Sequence, residues 1–177
     1  MLNDLGLLIL RMTIGGLLAG HGSQKLFGWF SGPGLKGTAG WLGSMGLKPS
    51  KLWAYGAALS EFGGGVLTAL GLFHPLGSIA SIAAMSMATA KAHWGKPIWA
   101  SQGGAELPLT NIATTVALAL TSPGRFSLDS ALGIRVPRPL VVLAALAAAA
   151  GVTLGVLSQP EPAPSTGNQP ETATSRG

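Results

Sequence analysis

Residues 52–73 read LWAYGAALSEFGGGVLTALGLF, an apolar block whose only formal charge is Glu61. A helix needs about 17–25 mostly apolar residues to cross a bilayer core, and this block reaches that length. No alternation of apolar and polar residues competes with it as a strand pattern. Four further apolar blocks run from Leu5 to Gly22, from Leu76 to His93, from Ala105 to Ser122 and from Leu140 to Leu157. The sequence therefore predicts an all-α membrane protein.

The composition supports a bilayer environment. Of the 177 residues, 47% are hydrophobic and 10% are charged, and the mean hydropathy is +0.45. A soluble domain carries about a quarter charged residues, so charges this scarce could not cover a water-facing surface. Lysine and arginine exceed aspartate and glutamate by 11 to 6, a net charge of +5. Because the basic residues lie mainly between the apolar blocks, we expect the lipid bilayer, and not nucleic acid, as the partner.

The blocks divide the chain into three regions. Residues 1–132 are expected to form a four-helix transmembrane bundle, with a tight turn at His74-Pro75 because proline ends a helical pattern. Residues 133–157 are expected to supply a linker and a fifth transmembrane helix. Residues 158–177 are rich in Pro, Ser, Thr and Glu without an apolar face, which predicts a disordered polar tail.

Small residues recur at every fourth position in three of the blocks. Such ridges let helix backbones approach closely in a membrane, either within one bundle or between copies of a homo-oligomer. The ridges are Gly16 and Gly20 in the first block, Gly56, Ser60, Gly64 and Thr68 in the second, and Ala80, Ala84, Ala88 and Ala92 in the third.

Helices that alternate in direction would gather scattered polar residues. We name the side of the membrane at the N-terminus of the first helix side A, and the opposite side is side B. Glu61 lies about 13–14 Å into its block at a rise of about 1.5 Å per residue. An ionisable group at that depth costs a few kcal/mol and needs a partner or water. The residues expected in the side-B half of the bundle are His21, Lys25, Glu61, His93 and Glu106.

Two interpretations of Glu61 stay open. An ion pair with Lys25 or with His21 would fix the register of the helices. A proton relay, or a pocket for a quinone headgroup, would use the same groups to donate and accept protons. The candidate catalytic residues are accordingly His21, Lys25, Glu61 and His93, and the candidate binding residues are Gln24, Glu106 and Trp94.

Structural roles compete with these assignments. Glu106 would cap the fourth helix, Trp94 would anchor the chain at the membrane interface, and Arg11 would be buried against a neighbouring helix or reach side A. Two histidines, His21 and His93, without a third ligand or a local metal-binding spacing predict no metal site. For the same reason a hydrogen-bonding role is favoured over haem ligation.

Several short motifs occur in a fixed order along the chain. They are GHGSQKLFG at 20–28, GPG at 32–34, GTAGW at 37–41, EFGG at 61–64, GGAELP at 103–108 and PGRFSLD at 123–129. The ordered set resembles the DoxX family of small bacterial and archaeal membrane proteins, from about Leu5 to Leu132. The resemblance implies a four-helix core, multi-pass in the plasma membrane of a bacterium or archaeon.

The resemblance also implies a function. Family members are often described as oxidoreductases; some are associated with quinone-linked thiosulfate oxidation, and others partner a superoxide dismutase and a sulfurtransferase. We therefore expect a component of a membrane redox or oxidative-stress system that uses quinone or soluble redox partner proteins. The alternative is a non-catalytic membrane scaffold or a small-solute permeation protein. The chain has no cysteine, so a cofactor, substrate or partner would have to carry the electrons.

The apolar blocks predict integration into the bilayer. The protein is expected to stay with membranes through an alkaline carbonate wash and to require detergent for release, because the blocks would otherwise face water. Immunoblotting of the washed pellet and supernatant checks this. Recovery in the supernatant would contradict the membrane assignment.

Overall fold

The computed structural model describes residues 1–159, which fold into α-helices joined by short loops and contain no strand. The helices are α1 (Leu2–Phe27), α2 (Gly34–Ser44), α3 (Ser50–Leu70), α4 (Leu76–Ala88), α5 (Glu106–Leu120), α6 (Leu128–Leu132) and α7 (Arg138–Leu157). A π-helical turn, Thr89–His93, extends α4, and a 3₁₀ turn, Ala100–Gln102, precedes α5. The predicted all-α class is confirmed. The predicted disordered tail lies, from residue 160 onward, outside the described residues.

Four helices pack side by side around the polar groups described below. α1 packs on α3, α3 on α4, and α4 on α5, and α5 returns to contact α1. α2 lies across α1 and α3, and α7 packs against α4. The first helix extends past the predicted end at Gly22 to Phe27, which places Lys25 on a helix.

The sequence did not predict α2 or α6. The α2 sequence, GLKGTAGWLGS, contains glycine at every third position, and glycine has a low helix propensity. The helix forms because Ala39 and Leu42 are buried in a cluster with Leu47 and with Ala54 of α3. Tertiary packing therefore stabilises a helix that the local sequence disfavours.

Two helices of the described residues, α1 and α7, are long and apolar enough to cross a membrane. Large apolar side chains are exposed along both, among them Leu10 and Leu17 of α1 and Leu143 and Leu146 of α7. Exposed apolar surface on this scale favours contact with lipid chains over contact with water.

Glycines bring the antiparallel helices α1 and α3 into backbone contact. A Cβ added at Gly15 would lie 2.5 Å from the backbone nitrogen of Ala69, and one added at Gly65 would lie 2.6 Å from the carbonyl oxygen of Gly15. The predicted ridge at Gly16 and Gly20 is not an intrachain contact within residues 1–159, because no atom of that part of the chain lies within 4 Å of a Cβ at either position. The four-residue spacing is present in α1, but the face that packs is the one with Gly15.

Replacing glycine with leucine should affect stability differently on the two faces of α1. Gly15→Leu should destabilise the protein by at least about 2 kcal/mol, because the backbone of α3 cannot move aside as a side chain could. Gly16→Leu should leave stability unchanged or raise it by up to about 1 kcal/mol, because its Cβ points into open space and leucine favours a helix more than glycine does. Thermal unfolding in detergent measures both, and equal melting temperatures would contradict this packing.

Candidate functional site

A buried ion pair joins α1 to α3. The Nζ of Lys25, in the last turn of α1, donates to Oε1 of Glu61 on α3. Glu61 is 2% exposed, whereas the Lys25 side chain is 24% exposed, so the lysine links the buried carboxylate to the surface. Oε2 of Glu61 is buried and finds no hydrogen-bond partner within residues 1–159. An unpaired carboxylate oxygen in a low-dielectric site is costly.

The ion pair forms part of the wall of a cavity of about 250 Å³ between α2, α3, α4 and α7. Lys91 is the other charged residue in the wall, so the site carries two positive charges and one negative charge. A mostly apolar chamber with a few convergent polar groups is typical of small-molecule sites. The apolar lining includes Trp41, Met45, Trp53, Ala57, Ala84, Met87 and Val152.

Helix α7 closes one side of this cavity. Its small residues Ala147, Ala148 and Gly151 face the chamber and leave it open. Gly155 lets α7 approach α3 and α4, because a Cβ there would overlap the Met87 side chain. The Nζ of Lys91 donates to the carbonyl oxygen of Ser158 at the end of α7. The sequence analysis did not predict that α7 forms a cavity wall, although the many alanines of α7 could have indicated a face that leaves space beside it.

The other predicted side-B residues do not join the ion pair. His21 is exposed on α1, where its Nδ1 lies 3.2 Å from Oε1 of Gln24. Of the two predicted partners of Glu61, the structure therefore selects Lys25. Both His21 and Gln24 lie outside the cavity lining.

His93 and Glu106 hold the loop between α4 and α5. Nδ1 of His93 lies 2.7 Å from the carbonyl oxygen of Gly103, and the carboxylate of Glu106 accepts a 2.8 Å hydrogen bond from the backbone nitrogen of Ala100. Trp94, in the same loop, is 82% exposed. Across residues 1–159, only Lys25 and Glu61 of the five residues expected in the side-B half contact each other through polar atoms. Nor do three His, Cys, Asp or Glu side chains converge there to form a metal site.

A second polar cluster lies at the end of the bundle opposite the cavity. We name the end with this cluster end A and the end with the cavity end B. Arg11 of α1 is 3% exposed, and its Nη2 donates to the carbonyl oxygen of Phe126 at 3.0 Å. The guanidinium occupies the space where Gly71 would carry a side chain, and Gly71 also has a positive φ of 61°. No residue other than glycine meets both requirements.

Asp129, in the PGRFSLD segment, holds the turn between α3 and α4. Its carboxylate accepts hydrogen bonds from the backbone nitrogens of Phe73, at 2.8 Å, and His74, at 2.7 Å. Ser127 caps α6 by accepting from the backbone nitrogen of Ser130. Burial lowers the pKa of His74, which is therefore neutral at neutral pH and adds no second positive charge beside Arg11. Asp129 was not among the candidate catalytic or binding residues predicted from the sequence.

Comparison with known proteins gives one family. The family model described as DoxX matches residues 6–94, which is half of the chain and runs from α1 to the π-helical turn after α4. Both members of the ion pair lie inside the matched range, whereas α5, α6 and α7 lie outside it. Searches of curated proteins and of solved structures found no match.

The different hydrogen bonding of two carboxylates gives a stability prediction. Asp129→Asn should destabilise the protein by about 1–3 kcal/mol. The amide NH₂ of asparagine would face a backbone N–H group that now donates a hydrogen bond to the carboxylate. Glu106→Gln should cost less, since a glutamine oxygen can still accept the single hydrogen bond from Ala100. Detergent thermal melts of both variants check this, and a larger loss for Glu106→Gln would contradict the assignment.

Proposed function

Since the chain belongs to the DoxX family of membrane proteins, we propose that it crosses the plasma membrane of a bacterium or archaeon with α1, α3, α4 and α5 and a fifth time with α7. The exposed apolar faces of α1 and α7 support the first and last crossings. Neighbouring helices pack antiparallel, and a tight turn joins α3 to α4. Both features support crossings that alternate in direction along the chain. In this arrangement end A and end B face opposite sides of the membrane.

We further propose that the protein is a quinone-binding component of a membrane redox or oxidative-stress system. The observation that carries this is the half-satisfied ion pair in the cavity wall: Lys25 and Glu61 both line an apolar chamber, and Oε2 of Glu61 has no partner within residues 1–159. The ammonium group of Lys25 can donate a hydrogen bond to a quinone carbonyl oxygen. The Oε2 atom of Glu61 can accept one from a quinol hydroxyl, and it can hold the proton that accompanies reduction.

The size and lining of the cavity suit a headgroup. Ligand sites typically enclose about 300–1,000 Å³. This cavity, at about 250 Å³, lies just below that range. The indole rings of Trp41 and Trp53 provide flat apolar surface for a planar ring. The chain itself contributes binding, orientation and proton exchange, while a soluble redox partner protein supplies the electrons.

A non-catalytic scaffold is the second candidate. The observation that favours it is that the ion pair ties together α1 and α3, which already touch through their backbones. In that case the pair would serve the register of the helices, and the cavity would hold part of a lipid chain.

Quinone binding distinguishes the two candidates. A short-chain ubiquinone analogue added to the detergent-solubilised protein should quench tryptophan fluorescence, because Trp41 and Trp53 line the cavity. Glu61→Leu and Lys25→Met should weaken binding by about tenfold or more, the loss expected when a hydrogen bond to a charged group disappears. Glu61→Gln should keep part of the affinity, since its amide can still bond to the ligand.

Matched controls make the assay specific. Glu106→Gln should bind quinone like the wild type, because Glu106 holds a loop outside the cavity. In cells, Glu61→Gln should fold normally and yet lose protection against quinone or oxidative stress. Quenching that Glu61→Leu leaves unchanged, together with purified protein whose lipid extract lacks quinone, would favour the scaffold.

A further inference from the structure

The cavity beside the ion pair has a mouth between α2, α3 and α7. Most of the described residues that line it are buried or half-buried, and three are exposed: Trp41 of α2, Gly56 of α3 and Ala147 of α7. A residue that lines a cavity and also has exposed surface lies at the edge of that cavity. The three residues therefore mark the place where the cavity opens.

Two glycines keep this mouth free of side chains. Gly56 of α3 and Gly151 of α7 both line the cavity, and no atom of residues 1–159 lies within 4 Å of a Cβ added at either position. The glycines at packed contacts differ, since a Cβ at Gly64 would lie 2.9 Å from the carbonyl oxygen of Gly77 on α4. At the level of Gly56 and Gly151, α3 and α7 are therefore separated by open space.

The mouth lies at the depth of the lipid chains. α3 begins at end B with Ser50, and α7 ends there with Leu157. At about 1.5 Å per residue, Gly56 lies about 9 Å and Ala147 about 15 Å from those helix ends. A bilayer core is about 30 Å thick. With the proposed crossings by α3 and α7, the mouth therefore extends toward the middle of the bilayer.

The surface around the mouth is apolar on both sides. Leu59 of α3 is 53% exposed, and Leu143 and Leu146 of α7 are each 62% exposed. Apolar surface of this kind favours lipid chains over water. A chain that leaves the mouth would therefore continue along a surface that suits it.

Protein covers the side of the cavity that faces end B. Leu42 and Leu47 line the cavity there and are only 5% and 0% exposed. The hydrogen bond from Lys91 to the carbonyl oxygen of Ser158 fastens the end of α7 at the same level. The exposed part of the wall therefore lies along the helices, where the bilayer would be.

The cavity has room for only part of a typical ligand. Its volume of about 250 Å³ lies below the range of about 300–1,000 Å³ that ligand sites usually enclose. Its charged wall residues, Lys25, Glu61 and Lys91, suit a polar headgroup. A ligand that joins such a headgroup to a long apolar chain fits both features, with the headgroup inside and the chain in the bilayer.

We propose that the cavity takes its ligand from the bilayer through this mouth, and that the ligand is a quinone with a long apolar chain. The ring lies beside Lys25 and Glu61, and the chain passes Gly56 into the lipid. The opening of the mouth to lipid rests on the proposed membrane crossings alone. The identity of the ligand rests also on the proposed quinone binding.

A spin label in the cavity tests the mouth without a ligand. Because the chain has no cysteine, Ala84→Cys places a single nitroxide on the α4 wall. In lipid vesicles, its collisions are measured with oxygen, which dissolves in lipid chains, and with a nickel chelate, which stays in water. The label should favour oxygen, as one on Leu143→Cys does, whereas one on the exposed Lys36→Cys should favour nickel.

Two results would overturn the mouth. They are a preference for nickel at Ala84→Cys, which means an opening to water, and access for neither agent, which means a closed cavity. Melting curves in detergent show whether the labelled protein is folded. If Ala84→Cys does not fold, Ala57→Cys on the α3 wall takes its place.

Two open glycines of α3 give a matched pair for the ligand. Gly56 lies at the mouth, whereas Gly63, whose Cβ would also meet nothing within residues 1–159, does not line the cavity. Fluorescence quenching is measured with decylubiquinone and with the same ring without a chain. Gly56→Leu should weaken decylubiquinone binding about tenfold, because leucine occupies the path of the chain, and should leave binding of the chainless ring unchanged. Gly63→Leu should leave both unchanged.

The outcomes separate this proposal from quinone binding itself. Equal losses of both analogues in Gly56→Leu, or no loss of either, would overturn the placement of the chain while quinone binding stands. Wild-type protein that binds neither analogue would overturn quinone binding and the ligand assigned to the mouth, and the spin label would still decide whether the mouth opens to lipid. If Gly56→Leu does not fold, Gly151→Leu narrows the mouth from the α7 side.

Discussion

The backbone contact between α1 and α3 is the constraint from which the rest of the structure follows. Gly15 and Gly65 allow the two helices to touch without intervening side chains, and an antiparallel pair packed this closely has one register. That register sets Lys25 opposite Glu61 at end B and brings Arg11 to Gly71 at end A. Both polar clusters therefore depend on residues that carry no chemistry of their own.

The two clusters use their charges differently. At end A, both oxygens of Asp129 accept from backbone nitrogens, so its charge serves to fix the turn between α3 and α4. At end B, Glu61 has one oxygen on Lys25 and one without a protein partner, beside a cavity. A fully bonded carboxylate is a structural anchor, whereas a half-bonded one next to space is suited to binding and proton exchange.

The sequence predicts the features that depend on bilayer thickness and helix period, which are the helical class and the long helices. It does not predict features that depend on tertiary contacts. Long apolar blocks must become helices in lipid, so the helical class followed from composition. α2 was missed because its stability comes from burying Leu42 against the rest of the bundle. Gly22 packs against Phe62, which leaves His21 outside, while the longer and more flexible Lys25 side chain still reaches Glu61. Periodicity reveals that α1 has a small-residue ridge, but it cannot tell which face meets a neighbour.

The division of the site between two parts of the chain bears on what it can bind. The ion pair lies within the range that matches the family, but part of the cavity wall comes from α7, beyond that range. In a bilayer, a cavity without that wall would open to lipid chains, and a buried carboxylate facing hydrocarbon is expensive. α7, seated through Gly155 and tied to Lys91 at Ser158, forms one wall of the cavity and limits its volume. The ion pair therefore belongs to α1 and α3, and the shape of the cavity beside it depends on α7.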